Sequence, residues 1–167
     1  MTIGYAHYSD EDGDNLEGVA FGLGGQAVAY IGEEEFLYAG IDTSLSYDTA
    51  SDRLCADDGC IEWQSIFSGD VLAILGASID ERKNREMWVG FGLGYTYGSN
   101  EVRIVTVGVS DDTAFHLGFK VRGGLRFGRL FMEGFGAFYG DADYVLFGEE
   151  SRFGELTRVG FNVGYMF

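Results

Sequence analysis

The chain is expected to be all-β: a transmembrane, up-and-down antiparallel β-barrel of eight strands. Three observations predict this. The 167 residues include 27 glycines and no proline, alongside 14 Phe, 10 Tyr and 2 Trp. Glycine and aromatics without proline suit long paired strands with few breaks. Apolar residues recur at every second position, the period of a strand and not of a helix. The connections between these stretches alternate between short and long for most of the chain.

The alternation is cleanest at the C-terminus. Thr157, Val159, Phe161, Val163, Tyr165 and Phe167 share one face, and Arg158, Gly160, Asn162, Gly164 and Met166 share the other. Leu37 to Asp48, Met87 to Tyr97 and Phe115 to Phe127 repeat the pattern. One face is large and apolar; the other is small, polar or charged. A surface of glycine with scattered charges suits the crowded interior of a narrow barrel. The large apolar residues then face outward and need hydrocarbon around them. A soluble lipocalin-like barrel would reverse the two faces and remain in solution without detergent.

Punctuation gives one domain, 1–167, with strands near 2–9, 17–31, 36–48, 61–80, 86–100, 114–127, 130–141 and 155–167. Turns 32–35, 81–85 and 128–129 are short; connections 10–16, 49–60, 101–113 and 142–154 are longer, most of them acidic. Short turns at one end and long loops at the other are the layout of an outer-membrane barrel, and an even strand number puts both termini at the periplasmic end. Val102–Val109 is itself strand-like. It reads as a hairpin arm above the membrane, with a bulge at Ser99, Asn100 and Glu101.

Composition removes several function classes. No run of ~20 apolar residues is present, so no transmembrane helix is expected. Formal net charge is −16, which opposes binding to nucleic acid. Met1-Thr2-Ile3 lacks the basic and apolar regions of a signal peptide, as expected of a mature form carrying an added initiator Met. Cys55 and Cys60 lack the partners of a zinc site, so a small-loop disulfide formed in an oxidising compartment is expected. No cofactor is expected, and the glycine-rich stretches lack the context of a phosphate loop.

Three segments carry the resemblance to a known group. Ile3-Gly4-Tyr5-Ala6-His7-Tyr8-Ser9-Asp10 runs into a polar loop, Val89–Tyr95 alternates glycine with aromatic and aliphatic residues, and Val159–Phe167 closes on a terminal Phe. In these the chain resembles the small eight-stranded outer-membrane barrels of Gram-negative bacteria, of the OmpX, Ail and OmpA-barrel type. The resemblance implies residence as an integral protein of the bacterial outer membrane, among its lipids and lipopolysaccharide. It also implies that Phe161, Val163, Tyr165 and Phe167 form the signal read by the outer-membrane assembly machinery. It points only weakly to function, because one fold hosts many activities.

Four constellations could carry chemistry. By alternation Asp42, Asp70, His116, Lys120, Arg122, Arg126 and Arg158 point into the lumen, and Glu133 joins them if its register allows, since it shares parity with Phe131 and Phe135. Buried charges are rarely tolerated unpaired, so a salt-bridged plug is expected, with a narrow pore as the alternative. His7 and Ser9 share a strand face and could act as base and nucleophile. Lipid A deacylases of the outer membrane are similar in carrying a His-x-Ser pair and a Glu, but late in the chain rather than in the first strand. Asp10, Asp12 and Asp14 resemble the start of a calcium loop, but Phe21 stands where an EF-hand needs Glu. Tyr5, Tyr8, Tyr30, Tyr47, Trp63, Trp88, Tyr95, Tyr97, Tyr139, Tyr165 and Phe167 read as an interfacial girdle. The leading expectation is a non-enzymatic structural or surface-binding barrel acting through acidic extracellular loops; a lipid-modifying hydrolase is the alternative.

Overall fold

The computed structural model describes residues 1–9, 15–32, 36–50, 53–56, 59–80, 82–104, 108–140, 142–146, 149–153 and 156–167. Side chains are described for these except 15–16, 50, 53–56, 59–65, 99–104, 108–114, 142–146, 149–153 and 156. The strands are β1 (Thr2–Ser9), β2 (Asn15–Ile31), β3 (Leu37–Ala50), β4 (Arg53–Ala56), β5 (Gly59–Ser78), β6 (Arg85–Ile104), β7 (Gly108–Phe127), β8 (Leu130–Tyr139), β9 (Ala142–Leu146), β10 (Glu149–Phe153) and β11 (Leu156–Tyr165).

Eight of these close a barrel in the order β3-β2-β1-β11-β8-β7-β6-β5, with β5 pairing back onto β3. Every pairing in the ring is antiparallel. Strands β4, β9 and β10 are extras beyond the long-loop end: β4 pairs with the start of β5, and β9 pairs with β10. Val102 lies within β6, opposite Ser110 of β7, so this stretch is a hairpin arm. The irregularity expected at Ser99–Glu101 falls on the facing strand, between Trp63 and Ser65.

The stagger of the barrel follows from the pairings. From Glu17 of β2 the hydrogen-bonded row runs through His7, Val159, Gly136, Val121, Phe91, Ala73 and Ile41, and returns to β2 at Ala27. The row has slipped ten residues along β2, from 17 to 27, so the strands tilt strongly against the barrel axis. Residues far apart on a flat map of the sheet therefore share one level of the lumen.

The composition now has a local cause. Tyr38 stands opposite Gly76, Phe135 opposite Gly160 and Phe131 opposite Gly164. A Cβ on any of these three glycines would collide with the facing ring. Each glycine makes room for an aromatic inside a lumen only eight strands wide. At the turn before β8, Gly128 has φ +62°, as the first central position of a type II′ hairpin requires.

The outer wall is apolar. Leu23 is 68% exposed, Leu93 63%, Phe138 61% and Phe161 56%. Buried residues lie on the alternate positions, so the lipocalin-like arrangement does not occur. Among the described residues no helix is long and apolar enough to cross a membrane. The strands and their apolar wall are the membrane-crossing surface.

Candidate functional site

The lumen holds its charges in three layers. In the layer nearest the long loops, Arg158 donates to Asp48 at 2.6 Å and to Ser46 at 3.2 Å. The Tyr8 hydroxyl donates to the same carboxylate of Asp48. The Arg158 guanidinium also lies 4.7 Å from the Phe135 ring. His116 is buried, its Nδ1 3.1 Å from the Gly140 carbonyl.

In the middle layer Lys120 donates to Asp70, which also accepts from Ser44 at 2.7 Å. Arg122 bonds Asp42 and lies 3.4 Å from Glu133 and 3.7 Å from the second Asp70 oxygen. Glu133 faces inward and accepts from Asn162 at 2.9 Å. Its neighbours of like parity, Phe131 and Phe135, face inward too, lodged against glycines.

Nearest the short turns, Arg126 pairs with Glu86 and donates to the Lys83 carbonyl at 2.9 Å. Tyr30 donates to Glu86 at 3.1 Å, and its ring meets Tyr38 edge-on. A cavity of about 330 Å³ occupies the lower and middle layers, lined by residues including Gln26, Asp42, Glu86, Trp88 and Asn162.

Sequence reasoning missed Asp48 and Glu86 as members of this network, although both share parity with residues assigned to the lumen. The girdle assignment is corrected at Tyr8, Tyr30, Trp88 and Tyr139, and the Trp63 side chain lies outside the described residues. Tyr8 and Tyr139 are fully buried, and Trp88 turns inward beneath Arg122, 5.4 Å from its guanidinium. Even parity on β1 and β6 and odd parity on β8 already favoured the lumen, but position near a strand end suggested the interface instead.

On the outer wall, His7 and Ser9 share the lipid-facing side of β1. His7 Nδ1 lies 3.4 Å from Glu17, directly opposite on β2. Tyr5 stacks against Phe161, ring centroids 6.1 Å apart. Among the described residues no hydrogen bond joins His7 to Ser9.

Asp10, Asp12 and Asp14 lie outside the described residues. The disulfide expected between Cys55 and Cys60 is not shown. The β4–β5 register sets the two cysteines opposite each other, so backbone pairing already supplies the closeness their spacing suggested; their side chains are outside the described residues. At the C-terminus Phe161, Val163, Tyr165 and Phe167 all face outward, and Phe167 is 97% exposed.

A closed ring of eight antiparallel strands, apolar outside and ionic inside, with termini at the short-turn end, can be compared with solved structures. Neisserial surface protein A matches over 99% of this chain and 94% of its own, with a TM-score of 0.52 and 13% identity. Ail, the attachment invasion locus protein of Yersinia pestis, matches over 99% and 95%, with a TM-score of 0.50 and 11% identity. This is the eight-stranded outer-membrane barrel fold. No family model matches the sequence, and neither does any curated protein. The eight-stranded barrel is thus shared at an identity where residue roles do not transfer, and function has to be argued from this chain's own sites.

Proposed function

We propose that the protein is an integral outer-membrane barrel that does not conduct, a sealed scaffold whose contacts with the outside are made at its extracellular surface. The observation that carries this reading is the Tyr8–Asp48–Arg158 layer. It crosses the lumen from β1 to β3 and β11, and all three side chains are essentially inaccessible. A desolvated ion pair of this kind resists the entry of water and ions, because opening it leaves two uncompensated charges.

The 27 acidic residues against 11 basic ones leave a strong negative balance for the long connections, which suits partners bearing cations or amines. The outer wall fits lipid chains, and the rim fits lipopolysaccharide headgroups. The exposed Phe167 and the outward residues before it suit recognition by the assembly machinery.

Planar-bilayer recording of the refolded protein tests the sealed lumen. The expected result is no unitary conductance above roughly a few tens of picosiemens, a ceiling set by a lumen filled with side chains. Larger, stable openings would replace the scaffold with a pore.

A further inference from the structure

The sealed-lumen reading leaves the cavity beneath the seal without a role. Arg158 lines it from above, and Met1, Met166 and Phe167 border it at the short-turn end. Val28 faces the lumen between Gln26 and Tyr30, yet it is exposed, so solvent reaches this half of the barrel from below. We propose that the cavity is a dead-end binding pocket, entered from the periplasmic side, for a small organic acid: one carboxylate on a short apolar body.

The charge facing the cavity selects an anion. Lys120, Arg122, Arg126 and Arg158 line it, against the carboxylates of Asp42, Glu86 and Glu133. Asp48 and Asp70, which pair with Arg158 and Lys120, lie behind this wall with no exposed side-chain surface. They steady those two cations from the far side and present nothing to an occupant. A molecule in the cavity therefore meets one more cation than carboxylate.

Hydrogen-bond donors are in surplus as well. The Nε groups of Arg122, Arg126 and Arg158 are buried without a hydrogen-bond partner among the described residues. A buried N–H left unpaired is costly. All three guanidiniums line the same cavity, so an oxyanion among them supplies the acceptor they lack. The planar guanidinium fork matches a carboxylate in shape.

The remaining lining narrows the class. A surplus of one positive charge suits a monoanion, whereas a phosphate dianion would be repelled by the three carboxylates already there. Trp88 and Phe131 line the cavity and offer ring surface to an apolar body. A volume of about 330 Å³ lies at the small end of ligand pockets. Approach is not opposed by the chain's overall charge. The short turns carry Arg82, Lys83, Arg85 and Arg129 against Glu33, Glu34, Glu35, Asp80 and Glu81, so this end is close to neutral while most of the −16 lies elsewhere.

The test uses the refolded full chain in micelles of an uncharged detergent, with butyrate as the probe. Butyramide is its neutral counterpart, and inorganic phosphate is the competing oxyanion. Trp63→Phe leaves Trp88, in the cavity wall, as the sole tryptophan, so its fluorescence reports on the pocket. Butyrate should give a saturable change with a Kd of about 1 mM or tighter, and butyramide and phosphate should bind at least ~10-fold more weakly. Arg126→Gln should weaken butyrate by ~10-fold or more, as loss of a charge-assisted contact does. Glu86→Gln should tighten it several-fold, because it frees Arg126 and removes a competing carboxylate; a merely structural role for this pair predicts no such gain. Heat-dependent gel mobility confirms that each variant is folded. Equal responses to butyrate and butyramide, phosphate binding as tightly as butyrate, or butyrate binding unchanged in both variants would overturn the proposal. So would the absence of saturable binding by folded wild type. Bilayer recording reads the seal separately, so any of these results leaves the non-conducting barrel standing.

Discussion

The layer of Tyr8, Asp48 and Arg158 is shut away from solvent, whereas from the underside of Arg158 down to Gln26 and Trp88 the lumen holds a cavity of about 330 Å³. Both regions are built from charges, aromatics and glycines. In the upper one Arg158 and Asp48 are shut away from solvent, and Ala6 and Ala137 have no exposed surface. In the lower one the Arg126 side chain keeps 23% of its surface exposed while it pairs with Glu86. The strength of an ion pair depends on whether water can replace a lost partner. The upper half thus serves as the seal, and the lower half can tolerate change.

Substitution should separate the halves. The largest effect is expected for Arg158→Met, which strands Asp48 as a buried charge and should cost about 3–5 kcal/mol. Urea unfolding in detergent micelles, followed by tryptophan fluorescence, measures this. The double change Arg158→Met with Asp48→Leu should recover most of the loss, because two apolar groups replace a buried pair at little cost.

Next comes Ala137→Leu, which forces three extra carbons into a filled layer. It should cost about 1–3 kcal/mol in the same assay. In the lower half, Glu86→Gln should cost no more than about 1 kcal/mol, since Arg126 remains partly solvated. Gln26→Leu, pointing into the cavity, should change stability by less than about 0.5 kcal/mol. Equal penalties for the Arg158 and Glu86 changes would mean that the halves are sealed alike.

The barrel was legible in the sequence because period two survives any tilt or register. The choice of inner face was legible from residue size, since glycine beside charge makes a poor lipid surface. Partners across the lumen were not. Arg158 meets Asp48 and Arg122 meets Asp42 only because ten residues of stagger bring those strands to one level. For Tyr8 and Tyr139 proximity to a strand end suggested an interface, although the two-residue alternation of their strands places both in the lumen. Glu17 escaped notice because its place opposite His7 depends on where the first long connection returns the chain.

The most direct test of the inside-out arrangement compares unboiled and boiled samples by gel mobility, using isolated outer membranes or detergent-refolded protein. A closed barrel with its apolar wall in detergent should migrate faster unboiled and shift on heating. No shift, from a protein that stays soluble in plain buffer, would mean that the apolar face is buried within and would contradict the account.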